Sequence, residues 1–156
     1  MTRVPRWFLK LGFIWFLAGG AMGGLFLVFK ALGLWPVWRV FIAPHGHIMF
    51  VGFITHLIMG VSDWMFPRPK QTRYTERKSL AALVILNAGL VLRVVFEPWL
   101  ALRGGTFPQM MLVLSGILQF VAIAIFVYNM WDRIWIPPQK EGRHQWIRRL
   151  REPPRS

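Results

Sequence analysis

The sequence predicts an all-α integral membrane protein, a four-helix bundle with both termini cytoplasmic, on three observations. The chain of 156 residues is 55% hydrophobic with a mean hydropathy of +0.44, more apolar than a domain whose whole surface faces water. Its apolar residues gather in four runs, about 8–34, 45–66, 79–102 and 107–135, each at or above the roughly 20 residues a helix needs to cross a bilayer core of about 30 Å. Its formal net charge of +13 comes from Lys and Arg that flank these runs, the pattern of membrane topology and not of a phosphate-binding surface. No nucleic-acid partner is expected.

The first run follows Arg3, Arg6 and Lys10 and outlasts the apolar core of a signal peptide. With no small-residue cleavage pattern it reads as an uncleaved helix. It carries Gly19, Gly20, Gly23 and Gly24, two overlapping G-x-x-x-G pairs that let another helix approach its backbone. The second run opens after Pro44, suited to a first turn whose N–H groups lack helical partners, and holds three of the chain's four histidines, His45, His47 and His56. Asn87 in the third run and Ser115 and Gln119 in the fourth read as helix–helix hydrogen-bonding groups. Asp63 and Asp132, near run ends, read as interfacial. Residues 1–136 thus form one transmembrane domain. Pro137-Pro138 then opens a basic cytoplasmic tail, 137–156, whose stretch from His144 to Arg151 suits a surface of anionic headgroups.

Fifteen Lys and Arg fall before the first run, between the second and third, and after the fourth, against Lys30, Arg39 and Arg103 on the opposite side. The positive-inside rule then places both termini in the cytoplasm of a multi-pass protein of the cytoplasmic (inner) membrane. Trp35, Trp38 and Trp99 near the outer interface and Trp7, Trp64, Trp131 and Trp135 near the inner one fit that placement, because indole rings favour the headgroup level.

The chain has no cysteine, which excludes disulfides, cysteine-ligated iron–sulfur clusters and covalent haem attachment. Neutral imidazole remains as a ligand for a metal or for haem iron. At about 100° per residue His45 and His47 lie about 200° apart and cannot share one iron, while His56 falls about 20° from His45 but roughly 16 Å deeper. The face of His45 reads His45, Met49, Gly52, His56, Gly60, and its glycines leave room for a macrocycle. Two readings stay open at this point: an axial ligand at His45, or interfacial histidines bonded to headgroups. Arg93 and Glu97 lie at the same depth on the third run, either neutralising each other at i,i+4 or meeting a haem propionate and orienting a ligand histidine.

The run His45-Gly46-His47-Ile48-Met49-Phe50 resembles the H-G-x-I-M-x-F motif on the second transmembrane helix of haem-copper oxidase subunit I, and the likeness extends to Phe66-Pro67-Arg68. In that family the first histidine of the motif is an axial ligand of the low-spin haem. The resemblance therefore implies noncovalent haem b on His45, with Met49, Gly52, Arg93 and Glu97 around it, His47 as the alternative ligand and His56 as a second, deeper site. A histidine or Met49 of another copy is the expected sixth ligand, if there is one. The copper-binding histidine cluster of the family is missing, so this chain alone is not expected to reduce oxygen. The family's twelve helices form three arcs of four, which implies a symmetric homo-oligomer, a trimer or else a dimer. The function implied is electron transfer or diatomic gas binding near the outer face of a respiratory membrane, with lipids, other copies, quinol or respiratory-complex subunits as partners. The alternative is a cofactor-free accessory or anchor subunit of a respiratory complex. Copper handling through His45, His47 and nearby Met finds no dense cluster of soft ligands.

Overall fold

The computed structural model of the chain, which describes residues 3–34, 39–67 and 74–135, turns the four runs into four long helices. They are α1 Arg3–Ala31, α2 Arg39–Met65, α3 Glu76–Arg103 and α4 Thr106–Trp135. Helices of 27 to 30 residues measure about 40–45 Å at 1.5 Å per residue, so each is long and apolar enough to cross a membrane. No strand occurs among the described residues. Trp35 and Trp38, the basic residues Arg68, Lys70 and Arg73, and the tail 137–156 with His144 lie outside them.

The helices start and stop at capping features rather than where hydropathy fades. α1 ends where Gly33 turns to φ 72° and the Leu34 N–H reaches back to the Phe29 carbonyl at 2.8 Å, a glycine-based C-terminal motif. The link from α3 to α4 is Gly104-Gly105, at φ 64° and 109°, a hairpin so tight that only glycine adopts it freely. Thr75, just ahead of α3, donates its N–H to Asn129 Oδ1 of α4 at 2.9 Å, while Asn129 Nδ2 donates to the Thr75 carbonyl and to Ser79 Oγ.

Each helix buries one stripe. On α1 it is Val4, Phe8, Gly12, Gly19 and Phe26, and on α2 it is Pro44, Ile48, Gly52, His56 and Gly60 in steps of four. The stripes of α1 and α2 interlock through missing side chains. A Cβ at Gly12 would lie 3.2 Å from His56 Cβ, one at Gly52 2.8 Å from Trp15 Cβ, and one at Gly60 2.9 Å from Phe8 Cβ. The G-x-x-x-G pair Gly19 and Gly23 faces α2, while Gly20 and Gly24 open onto empty space. α4 rests on α3, where Ser115 Oγ donates to the Gly89 carbonyl at 2.8 Å and Gln119 Nε2 donates to Ser115 Oγ at 3.0 Å. Towards the Arg3 end the four helices share an apolar core built on Phe8, Met59, Leu86 and Phe126. The outside is apolar as well, with Leu17, Leu27, Phe50 and Phe120 each about two thirds exposed or more.

α2 is not one uniform helix. A 3-10 turn over Arg39–Phe41 and an α segment over Ile42–His47 lead into a π-helical segment over Ile48–Thr55, and α geometry returns at His56–Met65. A π turn widens the backbone, is rare, and is frequent at functional sites. Side chains here serve carbonyls five residues back: Thr55 Oγ1 donates to Phe50 O at 2.9 Å and His56 Nδ1 to Val51 O at 2.8 Å. A constant 100° per residue therefore does not relate His45 to His56. Both face α1 because they pack on its glycines.

Candidate functional site

His56 is fully buried and both its ring nitrogens are engaged. Nδ1–H donates to the Val51 carbonyl, which leaves Nε2 as the acceptor, and Asn87 Nδ2 donates to it at 2.9 Å. Asn87 also donates to Leu83 O at 2.8 Å and accepts from Trp15 Nε1 at 2.8 Å. Trp15, Asn87, His56 and Val51 thus form one satisfied chain across α1, α3 and α2, which is how a polar group is kept inside an apolar interior. With no lone pair left over, His56 does not fit a metal in this arrangement.

His45 lies against α1. A Cβ at Gly23 would sit 3.3 Å from His45 Cε1 and 3.8 Å from Nε2, and the Phe26 ring meets the imidazole edge-on at 5.4 Å between centroids. Its Nδ1 is buried with no hydrogen-bond partner among the described residues. Met49 occupies the notch at Gly19, and Trp15 with Leu90 fills the notch at Gly52. The space at Gly52 and Gly60 is taken by α1, with Leu90 of α3. On this side the His45 ring is covered by Gly23 and Phe26 of α1, so a macrocycle on His45 would have to share that side with α1.

His47 differs from both. Its Nδ1 is 3.1 Å from the Ala43 carbonyl, so Nδ1 carries the proton and Nε2 keeps its lone pair. Within the α segment it stands about 200° around from His45, on the flank of exposed Ala43 and Phe50. A ring N–H tied to a carbonyl, with the other nitrogen free, is the usual state of a ligating imidazole.

Arg93 and Glu97 pair within α3 as a two-bond fork, Nε to Oε2 at 3.2 Å and the second guanidinium nitrogen to Oε1 at 3.3 Å, and both side chains keep about a fifth of their surface exposed. Two of the five guanidinium donors are used in this way. Among the described residues no group of three or more His, Asp and Glu has metal-binding geometry.

The strongest polar cluster lies at the opposite end, at residues read from the sequence as interfacial or as topological charges. Asp63 and Arg133 are both buried, with side chains at 0% exposure, and meet at 2.7 Å. The Arg133 guanidinium also donates to the carbonyls of Asp63 at 3.0 Å, Phe66, and Pro67 at 3.0 Å, and lies 4.5 Å from the centre of the Tyr74 ring. Arg133 thereby caps α2, satisfying carbonyls that a helix end leaves unpaired. One signal of this was present in the sequence: Asp63 follows Gly60 by three residues on the stripe that holds Gly52 and His56, so it belongs to the buried face.

No family model matches the chain, and no curated protein or solved structure does either.

Proposed function

We propose that the chain is a multi-pass membrane protein that binds haem b noncovalently at the His45 end of the bundle, for electron transfer or the binding of a diatomic gas, with His47 rather than His45 as axial ligand. The observation that carries this reading is the His47 ring, tied at Nδ1 to the Ala43 carbonyl and with no partner at Nε2 among the described residues. A macrocycle on that flank has protein on one side only, so a neighbouring copy completes the site, in a trimer or a dimer. Arg93 retains donors beyond the two given to Glu97 and is the propionate partner of this reading. Glu97 orients Arg93, whereas Met49 and Gly52 support α1 instead of touching the haem. When bound, the haem supplies a one-electron couple or an open iron position. Both termini face the cytoplasm of a respiratory inner membrane, where quinol or a respiratory subunit is the exchange partner.

The test is an absorption spectrum of the full chain purified from haem-supplemented cells, with and without dithionite. A Soret band that survives His45→Ala and is lost or shifted in His47→Ala is the expected result. Absence of any Soret band overturns the haem reading, and the reverse pattern returns the ligand to His45. Particle mass by light scattering reads the oligomer.

A second reading, a cofactor-free accessory or anchor subunit of a respiratory complex, is favoured by the α1–α2 seam, whose notches and buried histidine His56 are served by protein alone. A haem-free spectrum with copurifying larger subunits supports it.

A further inference from the structure

The end of the bundle opposite the histidines carries a surface with different chemistry. α3 and α4 pack closely, yet on one flank the small side chains of Ala81 and Ala124 leave a groove of about 530 Å³, walled by Ile125 and Tyr128 and ending at Arg77 and Lys78. A hollow of about 430 Å³ adjoins it, sharing Ala124 and Tyr128 and bounded by Trp131 and Asp132. Lys78 Nζ sits over the Tyr128 ring, 5.1 Å from its centre, so the cation is held at the groove end by a cation–π contact. Arg77 beside it is exposed. Asp132 is engaged in an interaction of its own.

We infer that this groove is a site for an anionic glycerophospholipid, with an acyl chain along Ala81 and Ala124 and the headgroup phosphate between Arg77 and Lys78. The division of chemistry carries the inference: the groove is apolar along the helices and cationic only where they end. An apolar groove in hydrocarbon does not distinguish one lipid tail from another, so selectivity resides in the headgroup. Cations at the membrane surface favour anionic lipid, and two of them converging on one headgroup give a preference of about 30-fold over a zwitterionic lipid with the same chains. The inference rests on the reading that the four helices cross a bilayer. A chain that fails to stay with membranes after alkaline extraction fails that reading before any lipid is tested.

The experiment is native mass spectrometry of the full chain released from vesicles of equal parts phosphatidylglycerol and phosphatidylcholine with matched chains. The expected result is phosphatidylglycerol retained about 30-fold over phosphatidylcholine, undisturbed by added inorganic phosphate. Arg77→Gln/Lys78→Gln brings the ratio near one. Ala124→Phe, at an exposed position, lowers retained phosphatidylglycerol severalfold with the charge unchanged. Arg3→Gln/Arg6→Gln, which removes two exposed cations elsewhere at the same end, leaves the ratio as it was. The inference is overturned if the Arg77/Lys78 variant keeps its selectivity, if Ala124→Phe retains as much lipid as the parent, or if the Arg3/Arg6 variant loses as much as the Arg77/Lys78 one.

Discussion

Replacing Arg133 should destabilise the protein more than replacing Asp63, although a bare ion pair would weigh the two alike. Arg133→Met removes the guanidinium from the Asp63 carboxylate and from three backbone carbonyls, and it leaves a carboxylate with no exposed surface. Loss of one partner from a buried pair costs about 3–5 kcal/mol. Asp63→Asn keeps an acceptor at the Oδ1 position, and Arg133 keeps its carbonyls and the Tyr74 ring. The loss is then that of a charge-assisted bond, about 1.5–3 kcal/mol. A gap of about 2 kcal/mol, roughly 30-fold in the unfolding equilibrium, separates the two variants. In the double variant Asp63→Asn/Arg133→Met the buried carboxylate charge is gone, so it should be more stable than Arg133→Met alone. Reversible unfolding in mixed detergent micelles, followed by tryptophan fluorescence, measures all three. Equal losses in the two single variants, or a double variant whose loss is their simple sum, would refute the cap-and-clamp account of Arg133.

Gly52→Val places side-chain atoms where Trp15 and Leu90 already stand; it should cost about 1–3 kcal/mol by overpacking in the same unfolding assay. Gly20→Ala and Gly24→Ala, facing open space, should stay within about 0.5 kcal/mol. Asn87→Leu strips the partners from His56 Nε2 and Trp15 Nε1 and should cost about 2–4 kcal/mol, each orphaned buried group contributing about 1–3; a loss below 1 would show that the chain of bonds does not support the fold. Asn129→Ala removes three bonds at the start of α3, so hydrogen exchange should quicken at Lys78 and Ser79, whose N–H groups bond to Thr75 O, and stay unchanged at the Arg103 end.

Hydropathy located the four helices because apolar length is a property of each segment alone. It placed some of their starts late, α1 near residue 8 instead of Arg3 and α2 near 45 instead of Arg39, because a helix runs on through flanking residues that are not apolar. The packing roles of Ser115, Gln119 and Asn87 were legible from residue type, since a neutral polar side chain within an apolar run has few other uses. The glycines of α2 were legible as space, but one helix cannot tell what fills that space, and Trp15, Leu90 and Phe8 do. The π-helical segment over Ile48–Thr55 was invisible to an argument that assumes a constant 3.6 residues per turn. Asp63 and Arg133 were hidden for a further reason: two charges 70 residues apart at two helix ends look, one at a time, like ordinary interfacial residues.

That separation has a consequence for how the protein is made. At translation rates of about 5–20 residues per second, α2 is complete about 3–14 s before Arg133 is synthesised. During that interval the Asp63 carboxylate and the carbonyls at the end of α2 lack the Arg133 guanidinium, so this end of α2 is not yet in its final packing. The packing of α2 is thus completed only when the last helix of the bundle arrives.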